Sequence, residues 1–166
     1  MPMKTHKNYY ENLPYGWCLC SLHEIVASIK AGGDKPSDFT KEKSTINQYP
    51  VIANGIQNDG IIGYSSNYTI NYKSITISGR GTIGFPVIRN YEYTPVVRLL
   101  VLELLKNGPI DSILKYFLHL KCTQGVGTSI QQLTVPMIYN MKIELPPIEE
   151  QKRLSHKIRV IFKAIG

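Results

Sequence analysis

The segment from Leu145 to Ile165 constrains this chain more than any other. Leu145-Pro146-Pro147-Ile148 is followed by an unbroken stretch to Ile165 that contains neither glycine nor proline. Pro146 cannot donate to a sheet ladder, so it ends any strand that reaches it. Pro147 suits the first turn of a helix, where its missing N–H is not needed. Glu149 and Glu150 fall in that first turn, and Lys157, Arg159 and Lys163 fall toward the far end, matching the helix dipole at both ends. Leu154, Ile158, Ile161 and Ile165 are spaced 4, 3 and 4 apart and form one narrow apolar stripe. A helix of about 18 residues is about 27 Å long. We expect this helix to dock through its stripe on another helix; the alternative is that the stripe packs back on its own domain.

Ahead of the helix the chain alternates short apolar pieces with turn residues. Trp17 to Cys20 reads as a strand. Ser21-Leu22-His23-Glu24 reads as a capping box opening a short helix that carries Ile25, Val26 and Ile29 and stops at Gly32-Gly33. Residues 32–48 form a long polar loop. Pro50–Ala53 reads as a strand turned by Asn54-Gly55, and Ile61–Tyr64 is a second apolar piece. Ser74–Ser78 and Thr82–Ile88 read as strands around Gly79-Arg80-Gly81. Val96–Leu105 reads as one buried strand. Ile110, Ile113, Leu114, Phe117 and Leu118 follow helical spacing, Ser129–Leu133 looks like a helical turn, and Met141–Leu145 reads as a strand. The expected fold is α+β: a mixed sheet of short strands with packed helices over residues 1–145, then the long helix over 146–166, able to form a coiled coil.

The chain has 166 residues, 43% of them hydrophobic and 19% charged, which is globular composition. Its net charge of +7 favours polyanionic partners such as nucleic acid. Cys18, Cys20 and Cys122 are an odd count, arguing against a disulfide framework. Cys18 and Cys20 share one strand face, and His119 with Cys122 lacks further ligands, so no metal site is expected. No apolar leader precedes Lys4-Thr5-His6-Lys7, and no apolar run reaches membrane-spanning length. The expectation is a cytoplasmic, reduced protein that does not engage a membrane.

Motifs for catalysis fail on their context. Gly79-Arg80-Gly81-Thr82-Ile83-Gly84 has dinucleotide-binding spacing, but Phe85-Pro86-Val87-Ile88 follows where a helix N-terminus should hold the pyrophosphate. The motif reads instead as a glycine-rich hairpin. Leu145-Pro146-Pro147-Ile148 shares its prolines with the Asn/Asp-Pro-Pro-Tyr/Phe motif of amino-methyltransferases, but lacks the polar and aromatic residues that hold a target amine. No phosphate loop, H-E-x-x-H or G-x-S-x-G is present, and His6, His23, His119 and His156 are scattered. No catalytic residue and no cofactor are expected.

Several pieces occur in a telling order: Leu13-Pro14-Tyr15-Gly16-Trp17, Leu22-x-x-Ile25, Gly32-Gly33, Asn54-Gly55, Asp59-Gly60-Ile61-Ile62-Gly63, Ser78–Gly84, Gly125-Val126-Gly127-Thr128-Ser129-Ile130, and Met141 through Gln151 with its Pro-Pro-x-x-Glu-Gln junction. In this order they resemble the specificity subunits of type I restriction–modification systems, over about residues 13–165. The resemblance implies a non-catalytic target-recognition domain reading half of a split site in double-stranded DNA. It implies a following helix that packs on its counterpart and spaces the half-sites. Methyltransferase subunits using S-adenosylmethionine, and through them a restriction subunit, would assemble on it. Full subunits of the family carry two recognition domains and two helices; here there is one of each. That fits a half-subunit, a truncated gene or an excised piece, and a half-subunit could form a two-fold homodimer through the stripe.

Candidate DNA contacts are long cations and amides on loops. Lys35, Lys41 and Lys43 suit phosphates. Arg80 suits a phosphate or a guanine edge, Asn54, Gln57 and Asn58 suit adenine edges, and Thr128, Ser129 and Gln131 suit the backbone. The rival classes are a small enzyme binding an anionic ligand at Gly79–Gly84 and a protein-interaction adaptor that does not bind DNA.

Overall fold

The computed structural model describes residues 13–124 and 132–165. Nine strands and three helices are ordered along these residues: β1 Cys18–Ser21, β2 Val26–Ala31, β3 Tyr49–Ile52, β4 Ile61–Ser65, β5 Ser74–Ile77, β6 Pro86–Arg89, β7 Thr94–Pro95, β8 Leu100–Leu104, α1 Asp111–Gln124, α2 Val135–Tyr139, β9 Lys142–Leu145 and α3 Ile148–Ile165. A four-stranded antiparallel sheet has the order β2-β8-β5-β6, a three-stranded sheet the order β4-β3-β7, and β1 pairs with β9. The α+β expectation holds.

Strand β8 shows why its first three residues, Leu100 to Leu102, are all apolar. Successive side chains of a strand point to opposite faces. Leu100 and Leu102 enter a core with Leu22, Ile75, Ile77, Leu114, Leu118, Ile138 and Ile143. Val101 points the other way, into a second core with Ile52, Ile70, Tyr93 and Leu99. Both faces of the sheet are covered, so the alternation of a half-solvated strand disappears.

Four expectations are corrected. The Ser21 N–H does donate to Glu24 Oε2 at 2.6 Å, but this box closes a single 3-10 turn over Leu22–Glu24. Val26–Ala31 is a strand, not a helix: it pairs with β8 from Val26↔Leu104 to Ala31↔Leu100, and a bulge before Ser28 breaks the alternation that would have marked it. The expected single strand over Val96–Leu105 is interrupted, because Val97 and Arg98 take φ of 52° and 59° as the chain passes from β7 to β8. The expected strand over Thr82–Ile88 shortens to β6, since Gly81 and Gly84 (φ 68° and 78°) turn the chain first. Gly84 has no room for more: a Cβ there would lie 2.8 Å from Cys122 Cβ. The G-x-G-x-x-G segment thus joins two antiparallel strands. Within Ser129–Leu133, residues 129–131 lie outside the described residues, and Leu133 belongs to no helix, its N–H donating to Gly79 O at 2.8 Å. The nearby helix is α2, with Thr134 at its N-cap position, making no side-chain capping bond, and a proline in its first turn.

Helix α3 matches the sequence reading. Gln151 and Ser155 face the domain: Gln151 Oε1 accepts the Ile110 N–H at 2.8 Å, and the hydroxyls of Ser155 and Ser112 lie 2.7 Å apart. Cys18 and Cys20 do share a face, with Sγ atoms 3.3 Å apart. Burial, with the Cys18 hydrogen bond second, pushes the Cys20 thiol up to about 11; burial does the same to Cys122. Among the described residues no helix is long and apolar enough to cross a membrane.

Candidate nucleic-acid interface

Five loops meet at one end of the two sheets, and hydrogen bonds tie them together. Asn54 is the hub. Its Oδ1 accepts the Gly79 N–H at 2.8 Å, and its Nδ2 donates to Val97 O at 2.8 Å. Beside it the Gly55 N–H donates to Ser78 Oγ at 2.8 Å. The Val97 and Arg98 N–H groups donate to Gly33 O and Gly32 O at 2.9 and 3.2 Å. Gly32 is confined by that approach: a Cβ there would lie 2.7 Å from the Pro95 carbonyl. Arg80 Nη2 donates to Gln132 Oε1 at 2.8 Å, bringing in the segment before α2.

These bonds leave an open groove of about 330 Å³ whose walls include Arg80, Arg98, Gln132, Leu100, Leu133 and Val135. Two guanidinium groups therefore share one groove, and no carboxylate lines it among the described residues. A buried cation supports the neighbouring turn. Arg89 is 2% exposed; its Nε donates to Thr76 Oγ1 at 3.1 Å, its Nη1 to Tyr91 Oη at 2.8 Å, and its Nη2 to the Asp59 carbonyl. That last bond holds Asn58 and Asp59 at φ 48° and 51°, so exposed Gln57 and Asn58 stand on an anchored turn.

The candidates read from sequence are only partly brought together. Arg80, Asn54, Gln57 and Asn58 lie in this cluster, but both ends of the Asn54 amide are engaged by backbone groups. Lys41 and Lys43 are exposed on the loop that meets the opposite end of the β3–β4 pair, where Thr40 bonds Tyr64. Lys35 Nζ lies 4.3 Å from the centre of the Phe39 ring. This loop is held by Asp38, whose carboxylate accepts the Ser66 hydroxyl (2.5 Å), the Ser66 N–H (2.7 Å) and the Ser65 hydroxyl (2.9 Å). Those donors hold the Asp38 carboxyl below its ordinary range. Thr128, Ser129 and Gln131 lie outside the described residues. Sequence reasoning missed Arg98, Gln132 and Arg89. Arg98 was hidden inside the apolar run Val96–Leu105, and the only available signal was a lone cation within it.

On α3, Leu154 and Ile158 are half-buried, whereas Val160, Ile161 and Phe162 are 52%, 56% and 68% exposed. The Ile165 side chain lies outside the described residues. Ion pairs Lys152–Glu149 and Arg153–Glu150 run along the helix, and the Arg153 hydrogen bond holds the Glu150 carboxyl below its ordinary range.

Comparison with known proteins gives one consistent result. Two Mycoplasma pneumoniae proteins, each bearing the name of a type I specificity subunit, are 38% and 32% identical to the chain over 87% and 90% of it. The chain spans 39% and 43% of their lengths. The HsdS subunit of Thermoanaerobacter tengcongensis shares the fold, with a TM-score of 0.74 at 22% identity, covering 96% of this chain and 40% of that one. A chain from a structural study of type I R-M complex assembly superposes with a TM-score of 0.76 at 22% identity, covering 95% of this chain and 41% of its own. The family model described as type I restriction modification DNA specificity domain matches residues 14–165, and the chain belongs to that family.

Proposed function

We propose that this chain reads one half of a split site in double-stranded DNA, as one target-recognition domain of a type I specificity subunit with its spacer helix. Residues 1–145 make the recognition domain, and residues 146–166 the spacer that docks on a second helix through Leu154, Ile158, Ile161 and Ile165. The chain performs no chemistry. It positions methyltransferase subunits, and through them a restriction subunit, in the cytoplasm. Because it spans about two-fifths of its relatives' length, the second half-site falls to another recognition domain or to a second copy joined through α3.

One observation carries this reading in a chain of this family: two guanidinium groups, Arg80 and Arg98, share a groove where five loops converge and where no carboxylate is found among the described residues. Cations supply affinity through phosphates, while neighbouring amides such as those of Gln57 and Asn58 suit base edges.

The test is binding to a random-sequence duplex pool across a salt series, followed by selection of the bound fraction. The expected result is affinity that falls steeply with salt, as counterions are released, and enrichment of one sequence. No binding, or binding indifferent to salt, overturns the reading in favour of an adaptor. Stoichiometric binding of a nucleotide at Gly79–Gly84 overturns it in favour of a small enzyme.

A further inference from the structure

The Val97–Arg98 turn is unusual for the residues that make it. Non-glycine residues seldom occupy the left-handed region, and a β-branched one is a genuine outlier there. Yet Val97 has φ 52° and Arg98 φ 59°, in succession. The surroundings impose this. Val97 N–H and Arg98 N–H bond Gly33 and Gly32, Leu99 N–H bonds Val96 O at 3.1 Å, and the Val97 carbonyl is taken by Asn54. The turn is thus held by its main chain, and its side chains project outward: Val97 is 50% exposed and Arg98 is exposed.

The groove beside it has a definite chemical character. Arg98 and Arg80 border it, Gln132 accepts from Arg80, and Leu100, Leu133 and Val135 supply apolar wall. Among the described residues no carboxylate lines the groove beside them, and two such cations repel each other until an anion enters. A neutral base edge engages one guanidinium in a bidentate pair; it does not neutralise two. A phosphodiester does, because its two free oxygens accept from two guanidinium groups at once. The apolar wall suits the sugar next to it.

We propose that Arg80 and Arg98 together seat one DNA backbone phosphate, so that the Val97–Arg98 turn fixes the register in which the Gln57–Asn58 turn meets the bases. This rests on the DNA-recognition reading above and assigns to it a residue, Arg98, and a phosphate seat. Arg98 acts here as a positioning residue.

The experiment measures binding of the full chain to several mixed-sequence duplexes across a salt series. It compares the wild type with Arg98→Gln, Arg98→Lys and the double variant Arg80→Gln/Arg98→Gln, with thermal unfolding as the control for folding. The expected loss for Arg98→Gln is about tenfold, equal on every duplex. The slope of log affinity against log salt should fall by about one in Arg98→Gln and about two in the double variant. Arg98→Lys should keep the wild-type slope. An unchanged slope in a folded double variant, while the wild type binds steeply, overturns the phosphate seat alone. A loss confined to one duplex sequence also overturns it, because Arg98 then reads a base. Absence of binding by the wild type overturns the DNA-recognition reading itself, and the seat with it.

Discussion

Gln151 and Ile110 are joined side chain to backbone: Gln151 Oε1 accepts the Ile110 N–H at 2.8 Å, while Gln151 Nε2 donates to Pro146 O at 2.9 Å. The glutamine that closes the Pro-Pro-x-x-Glu-Gln junction is thus a joint between α3, the start of α1 and the end of β9. It is 4% exposed. Gln151→Ala strands a donor and an acceptor away from water and should cost about 2–4 kcal/mol in urea unfolding. Gln151→Glu should cost no less, because a carboxylate replaces the Nε2 donor and leaves the Pro146 carbonyl unpaired. A loss under about half a kcal/mol for both would show that the joint does not hold the helix.

Arg89 should matter for stability and for the turn that it anchors. Arg89→Met removes three hydrogen bonds, one of them to the Asp59 carbonyl. The expected cost is about 2 kcal/mol or more. Amide exchange at residues 57–60 should accelerate beyond what the global loss explains. Uniform acceleration across β5 and β6 would indicate that Arg89 supports the sheet and not the turn.

Acid should weaken the fold in part through Asp38 and Glu24. The Ser66 hydroxyl leads the donors that hold Asp38 down, and the Ser21 N–H leads those that hold Glu24 down. A carboxyl depressed in the folded state contributes stability that is fully present above its unfolded value and is lost as pH falls through its folded value. The thermal midpoint should therefore decline on acidification through and below the ordinary carboxylate range. In Asp38→Asn that decline should be shallower, from a lower starting midpoint. An equally steep decline in the variant would remove Asp38 from the acid response.

The outer turns of α3 provide a clean test of helix docking, because they are not core. Ile161→Glu alters a residue that is 56% exposed, so thermal unfolding of the chain should change by less than about 0.5 kcal/mol. Association with a second copy or with a second helix, read by sedimentation, should weaken at the same time. Ile158 is half-buried, so Ile158→Glu confounds the two effects. Unfolding by Ile161→Glu would place the stripe in the core and end the docking proposal.

Much of the architecture could be read from the sequence because local chemistry decides it. Two prolines stop β9 and start α3, and the Ile113–Leu118 spacing fixes α1. Tertiary context decided the rest. The Ser21–Glu24 box signals a turn of helix, but the free edge of β8 captures Val26–Ala31, and a bulge hides its period. No glycine marks the left-handed turn at Val97–Arg98, so the run from Val96 to Leu105 looked like one strand and its arginine went unnoticed. Asn54 was read as a candidate base contact; its amide binds the backbone of its own chain, which only the folded arrangement of Gly79 and Val97 reveals.

The turn at Val97–Arg98 is fastened entirely through main-chain atoms, and Gly32, Gly33 and Asn54 hold it whatever side chains it carries. Replacing those side chains leaves every fastening bond in place. Under the proposed reading such a mount is a fixed foothold on the DNA backbone, so residues on neighbouring loops can be re-lettered for other bases while the register stays the same.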